Sequence, residues 1–276
     1  AGMSCKNSII GGCGNDKKGK NIVKKMKELN MDTSQIFFRN AKTKAYYLSI
    51  DKAKLPKITY NCSKKSPKDG KTTWYDDNLE DISYYHSKAK DNDVIVLDDL
   101  DELSLAIINM FKCDKMLDVG KTSQLERLRD DQILGLKNKI KILQLNERVV
   151  PYLMQRFECR NLLEISKLFQ PKLLIVTHGK DGADFVFEDK VYKKKLDNSA
   201  NEVDATGAGD AFLSVFIKKY YDNLEQVDYD FIDDTFEEAV KLTSKVVGHV
   251  GARGHLYDKL LNKKLEREEQ AEELEL

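Results

Sequence analysis

The sequence has only 4 prolines, 1 tryptophan and 4 histidines in 276 residues. It holds no CxxC or HExxH pairing, and only His249 and His255 stand near each other, so the ligand spacing of a zinc centre is missing. Its 5 cysteines (Cys5, Cys13, Cys62, Cys113, Cys159) are scattered singly. An odd, dispersed set argues against a disulfide framework and for reduced thiols in a cytoplasmic setting. An excess of one charge is also lacking: Lys+Arg and Asp+Glu both number 46, a net charge of +0. That removes the general electrostatic case for a nucleic-acid partner. No apolar run reaches the ~20 residues that cross a bilayer, and no signal-peptide core opens the chain, so no membrane partner is expected.

What is present is a hydrophobic fraction of 41% arranged in alternation. Short β-branched or aliphatic runs predict strands at 8–13, 46–50, 58–60, 94–97, 116–119, 142–145, 173–177 and 185–187. Amphipathic stretches predict helices at 21–29, 102–111, 124–136 and 148–156. A further helix starts near Thr206 with Phe212, Val215 and Phe216 on one face. Another starts at Asp234-Thr235, where Thr235 and Glu238 form a capping box before the stripe Phe236, Ala239, Val240, Thr243 and Val247. Pro56 reads as a breaker between two strands, and 62–73 as an exposed hairpin or loop with Pro67 and Asp69-Gly70 as turn signals. Such alternation predicts an α/β fold, a mostly parallel, doubly wound sheet with helices on both faces. The Glu-rich end, 257–276, reads as a charged tail.

The stretch Asp204-Ala205-Thr206-Gly207-Ala208-Gly209-Asp210-Ala211-Phe212 carries chemistry. Three small residues stand directly before a helix, where the backbone can approach a ligand closely and the first-turn N–H groups point outward. Those donors and the helix dipole favour an anion such as a phosphoryl group. Asp210 in the same turn is placed to accept a proton from an attacking hydroxyl. A glycine-rich turn into a helix with an acidic first turn is equally common with no ligand.

The nine residues 204–212 resemble the C-terminal signature of the ribokinase-like (PfkB-type) family of sugar and nucleoside kinases. Val176-Thr177-His178-Gly179-Lys180-Asp181-Gly182-Ala183 is similar to that family's nucleotide-loop strand, and Leu145-Asn146-Glu147 to its Asn-Glu segment. Gly14-Asn15-Asp16-Lys17-Lys18-Gly19, with Asn30-Met31-Asp32-Thr33-Ser34 after a helix, resembles its early glycine–aspartate strand exit. Residues 248–254 stand where the family closes its adenine pocket. The resemblance spans 8–256, with 43–75 as a small β lid.

The resemblance implies ATP-dependent phosphoryl transfer to a hydroxyl of a sugar-like small molecule. Asp210 is then the catalytic base, and Gly207, Ala208 and Gly209 the anion hole. Asn146, Thr177, Gly179, Gly182 and Thr206 would line the nucleotide. Mg2+ would be held mainly by phosphates and water, with a monovalent cation near Asp204. Lids of this family often pair between subunits, which makes a homodimer a possible assembly.

Three departures stand against the pattern. Val149 occupies the place of the Glu that follows the family's Asn by three positions. The family's first strand, its substrate-binding Asp and its Gly-Gly…Asn segment have no convincing counterpart before Gly11. The lid region offers no acceptor-binding residue. A second reading is therefore a catalytically degenerate or truncated relative that binds nucleotide or a partner without turnover.

Other features have plainer readings. Gly14–Lys20 matches a phosphate-binding P-loop, but Asn21 replaces the Ser/Thr that would ligate magnesium. His178 is placed to touch a ligand or to cap its loop, and His249 and Arg253 to contact nucleotide or stay on the surface. Trp74 with Tyr75 reads as lid packing.

Overall fold

A computed structural model describes residues 7–9, 11–40, 43, 46–51, 54–60, 94–196, 202–223 and 226–256. The chain divides into two compact units, Ala1–Ser83 and Tyr84–Leu276. The expected loop at 62–73, Trp74-Tyr75 and the tail 257–276 lie outside the described residues.

In the first unit, β1 (Gly11–Gly14) runs parallel to β2 (Ile36–Arg39), with α1 (Lys17–Glu28) between them in sequence. The helix starts four residues before the expected 21 because Asp16 caps it, accepting the Gly19 N–H at 2.8 Å. A Cβ on Gly19 would lie 2.1 Å from the Gly14 carbonyl oxygen, so only glycine fits this fold-back. Strands β3 (Tyr46–Asp51) and β4 (Lys54–Tyr60) form an antiparallel pair. Pro56, expected to break the chain, instead lies within β4, beside a register shift between Ser49 and Asp51. A ladder irregularity is where a residue without an N–H is tolerated.

The second unit is built on a six-stranded sheet in the order β10-β9-β8-β7-β6-β5. Strands β5 (Val94–Leu97), β6 (Asp114–Val119), β7 (Ile142–Asn146) and β8 (Leu173–Thr177) are mutually parallel. Strands β9 (Ala183–Phe187) and β10 (Lys190–Lys194) close the sheet antiparallel. Helix α2 (Glu102–Met110) joins β5 to β6, and α5 (Val149–Arg156) with α6 (Leu162–Phe169) joins β7 to β8. The fold is thus α/β on a mostly parallel, mixed sheet with helices. Its middle strands are mostly apolar, as strands covered on both faces are: Ile142, Leu173, Leu174 and Ile175 are fully buried, and Gln144 on β7 and Asp118 on β6 are exceptions.

The single helix expected at 124–136 is two short ones, α3 (Thr122–Glu126) and α4 (Asp130–Leu134). The break is held from outside. Arg156 donates to the carbonyls of Leu125 at 2.8 Å and Leu128 at 2.6 Å, and pairs with Asp130 at 2.7 Å. Its guanidinium takes up carbonyls that a continuing helix would have used.

Helices α7 (Ala208–Asp222) and α8 (Tyr229–Val247) pack together. Phe185 of β9 meets Phe216 at a centroid distance of 5.4 Å and Phe236 edge-on at 6.0 Å. Such aromatic pairs add to the burial of their rings. Helix α8 starts six residues before the expected 235. Asp228 caps it by accepting the Phe231 N–H at 2.7 Å, which leaves Thr235 buried inside the helix. Outermost in the sheet, β10 has β9 as its one described strand neighbour and carries Lys190, Lys193 and Lys194.

Candidate functional site

Everything the sequence singled out as chemistry, except the glycine–aspartate exit at 14–19, lies in the second unit. Asn146 and Thr177 are register partners at the carboxyl ends of β7 and β8. That edge of a parallel sheet is where open α/β folds place ligands. Asn146 Oδ1 accepts the Arg148 N–H at 3.0 Å, and Thr177 Oγ1 donates to the Leu145 carbonyl at a long 3.5 Å. Val149, at the spacing where a Glu was expected, is 0% exposed and packs into the core as the first residue of α5.

Past β8 the chain turns at His178 and a short 3-10 turn, Gly179–Asp181. His178 bridges two carboxylates, Nδ1 to Glu147 at 3.2 Å and Nε2 to Asp184 at 3.3 Å, so it ties the exits of β7 and β8 to β9. Gly179 has a positive φ of 57° and faces open space. Gly182 has a different cause: with φ at 108°, a Cβ there would stand 2.0 Å from the Lys194 carbonyl oxygen. Its glycine is demanded by the close pass of β10 rather than by a ligand.

The turn that opens α7 is braced by Asp204. This carboxylate, 7% exposed, accepts the Thr206 N–H at 2.9 Å and hydroxyl at 2.6 Å on Oδ1, and the Gly251 N–H at 2.8 Å on Oδ2. Burial alone would raise its pKa; the bonds from Thr206 and Gly251 outweigh burial and hold it below the ordinary carboxylate range. Gly207 caps the helix in the left-handed region at φ 85°, and a Cβ on it would meet the Ala252 Cβ at 2.5 Å. The loop at 248–254 therefore lies against the turn. His249 Nδ1 meets the Lys245 carbonyl at 2.7 Å, and Arg253 is exposed.

Not all three residues expected to form the anion hole offer an N–H. That of Ala208 is spent on the Ala205 carbonyl at 3.1 Å, so this member of the expected trio is corrected. Those of Gly209 and Asp210 meet no acceptor among the described residues, and Asp210 itself is exposed in the first turn. Two open amides and a carboxylate at the positive end of a 15-residue helix suit an anion and a proton acceptor side by side.

Two carboxylates that sequence reasoning missed stand near this turn. Asp118 on β6 is pushed up to about 6, mainly by burial; a hydrogen bond from Gln144 opposes the shift, and the charges of Asp210 and Asp98 add to it. Asp98, after β5, is also raised, by burial first and then by Asp210, Asp99 and Asp101. The available signal was polarity out of place: an Asp and a Gln inside the apolar strands Met116-Leu117-Asp118-Val119 and Ile142-Leu143-Gln144-Leu145. Among the described residues no group of three or more His, Cys, Asp or Glu is placed to hold a metal ion, and no helix is long and apolar enough to cross a membrane.

The P-loop match does not survive the geometry of the first unit. Only Asn15 and Asp16 separate β1 from α1, and the Gly14 and Gly19 amides are spent on Thr43 Oγ1 at 3.1 Å and Asp16 at 2.8 Å.

Comparison with known proteins agrees with the fold. Residues 1–256 match the family model described as pfkB family carbohydrate kinase. A ribokinase from Thermotoga maritima superposes with a TM-score of 0.62 at 17% identity, covering 90% of this chain and 77% of that one. A nucleoside kinase from Methanocaldococcus jannaschii, an archaeal member of the ribokinase family, gives 0.68 at 15% identity over 94% and 81%. An uncharacterized sugar kinase from Pyrococcus horikoshii in complex with ATP gives 0.69 at 18% identity over 91% and 80%. No curated protein matches the sequence.

Proposed function

Because the chain belongs to the pfkB family of carbohydrate kinases, we propose that it transfers the γ-phosphoryl group of ATP to a hydroxyl of a sugar or related small molecule. The observation that carries this reading is the first turn of α7, where the exposed Asp210 carboxylate shares a helix end with the open Gly209 and Asp210 amides. In the reaction, the acceptor oxygen forms a bond to the γ-phosphorus as the bond from that phosphorus to the β,γ-bridging oxygen breaks. Asp210 takes the acceptor's proton. The two amides and the helix dipole meet charge on the phosphoryl oxygens.

Asn146, Thr177 and Gly179 are assigned to the nucleotide by their place at the carboxyl ends of β7 and β8; an ATP-bound structure is among the similar folds. Gly182 and Thr206 shape that region through their own backbone and through Asp204. Magnesium would neutralise phosphate charge; with Val149 buried, this chain leaves its coordination to phosphate oxygens and water. A monovalent cation would be held near Asp204, whose carboxylate already accepts the Gly251 N–H, and would supply positive charge there. In this reading residues 8–256 are one kinase domain with 43–75 as its lid, and the protein is a cytoplasmic homodimer.

The test is acceptor-dependent ADP formation from magnesium ATP across a panel of sugars and nucleosides. Asp210→Asn is expected to lose roughly 10²- to 10⁴-fold in turnover and to keep ATP binding. The buried Val149 and the Asn146 oxygen already committed to Arg148 favour the second reading, a nucleotide-binding relative without turnover. ATP binding with no active acceptor, and no change in Asp210→Asn, would establish that reading instead.

A further inference from the structure

Gln144 is a polar residue where the sheet is otherwise sealed. It is 1% exposed, and Ile142, Leu143 and Leu145 around it on β7 are equally buried. A primary amide in such a place costs free energy unless its hydrogen-bonding groups are met. Nε2 donates to the Gly209 carbonyl at 3.2 Å, across 65 residues of sequence. The amide also bonds the Asp118 carboxylate, which stands opposite it in the β6–β7 register. Oε1 meets no partner among the described residues. An amide whose acceptor is left unmatched while its donors are committed is held there for its donors.

Those donors end on the helix turn already described. Gly209's carbonyl and Asp210's N–H belong to one peptide unit, which is planar and trans, so the oxygen and the hydrogen point in opposite directions. Fixing the oxygen fixes the aim of the N–H. Gln144 Nε2 and Asp118 Oδ2 lie 3.5 and 3.9 Å from where a Cβ on Gly209 would stand, so both abut this peptide.

We propose that Gln144 and Asp118 are positioning residues for phosphoryl transfer: Gln144 pins the Gly209–Asp210 peptide so that the Asp210 amide faces the incoming phosphoryl group, and Asp118 holds the Gln144 side chain in place. This rests on the kinase reading above. Asp118 has a second effect through charge. Asp210 and Asp98 face it, and with its own burial they hold it close to half-neutral near pH 6. When it ionises, another negative charge stands beside the turn and opposes a phosphate.

The experiment uses the full chain with two readouts, one of them independent of turnover. Gln144→Met keeps the volume and removes both donors. In the unliganded protein, the ¹⁵N order parameter of the Asp210 amide should fall from about 0.85 towards about 0.6. With acceptor, kcat should fall about tenfold or more, while KM for ATP stays within about threefold. The wild type is expected to show a rise in KM for ATP above pH ~6, and Asp118→Asn, a near-isosteric change that serves if Gln144→Met does not fold, should abolish it. An unmoved Asp210 order parameter in Gln144→Met overturns the proposal whatever happens to kcat, and so does a KM rise unchanged in Asp118→Asn. If the wild type turns over no acceptor, the kinase reading falls, and the order parameter alone still decides whether Gln144 aims this peptide.

Discussion

Helices α1 and α7 both begin at a turn rich in glycine and acid. At α1 the acid is used inward: Asp16 accepts Gly19's N–H and Thr43's N–H and hydroxyl, and those bonds, Thr43's hydroxyl foremost, lower its carboxyl to about 2. At α7 the acid that braces the turn, Asp204, sits three residues before the cap, and it leaves Asp210 exposed beside two unspent amides. Both sequences match a phosphate-binding pattern in glycine spacing. The difference lies in where the carboxylate bonds, and a helix start is available to a ligand only when its donors are left over.

The comparison breaks most sharply on turnover. Asp210→Asn should lose roughly 10²- to 10⁴-fold in acceptor-dependent ADP formation. Lys20→Ala, on the exposed face of α1, should leave that rate within about twofold, since no phosphate is assigned to α1. An equal loss in both would erase the distinction. Next in size is Asp204→Ala, which strands the Gly251 N–H and frees the Thr206 hydroxyl. About 2–4 kcal/mol of stability should be lost by urea denaturation at pH 7. Because the folded carboxyl sits below its ordinary value, this contribution is present at neutral pH, and the gap to wild type should close as acid protonates it.

Glycine itself gives the next contrast. Gly207→Ala meets Ala252 in a left-handed backbone and should cost about 1–3 kcal/mol. Gly209→Ala, whose Cβ would find ordinary contacts at 3.5 and 3.9 Å, should change stability by less than about 1 kcal/mol. One further effect has the opposite sign. A carboxyl pushed up to about 6 costs stability once ionised, so Asp118→Asn should gain up to about 2 kcal/mol at pH 8, a gain that fades as pH falls and is gone below the ordinary carboxyl pKa, by paired urea titrations.

The strands of the second unit were legible because each is a short apolar run between turn residues, and β5 and β8 begin and end at the expected residues. Helix ends were less legible. Asp228 and the capping box at Thr235 are both local cap patterns, and only the burial of Thr235 separates them. The split of α3 from α4 depends on Arg156, a residue some 28 positions away, which no window around 124–136 contains. At the candidate site, the signature at 204–212 falls on the turn that opens α7. That Ala208's amide is spent, that Gly182 answers to Lys194 and that Gln144 reaches Gly209 are tertiary facts without a local pattern.

At the rim of the sheet, β10 leaves one side of its backbone without a described strand and lines that margin with Lys190, Lys193 and Lys194. Lys193 and Lys194 are paired with Asp184 at 3.7 Å and Asp233 at 2.7 Å, so an identical strand arriving from another molecule would have to displace these pairs and meet the charge of Lys190, and the margin resists the edge-to-edge stacking that seeds fibrils. Neutralising the three lysines, by acetylation or by glutamine replacement, would remove those pairs and that charge and expose the chain to self-association in crowded solution without touching the phosphate turn.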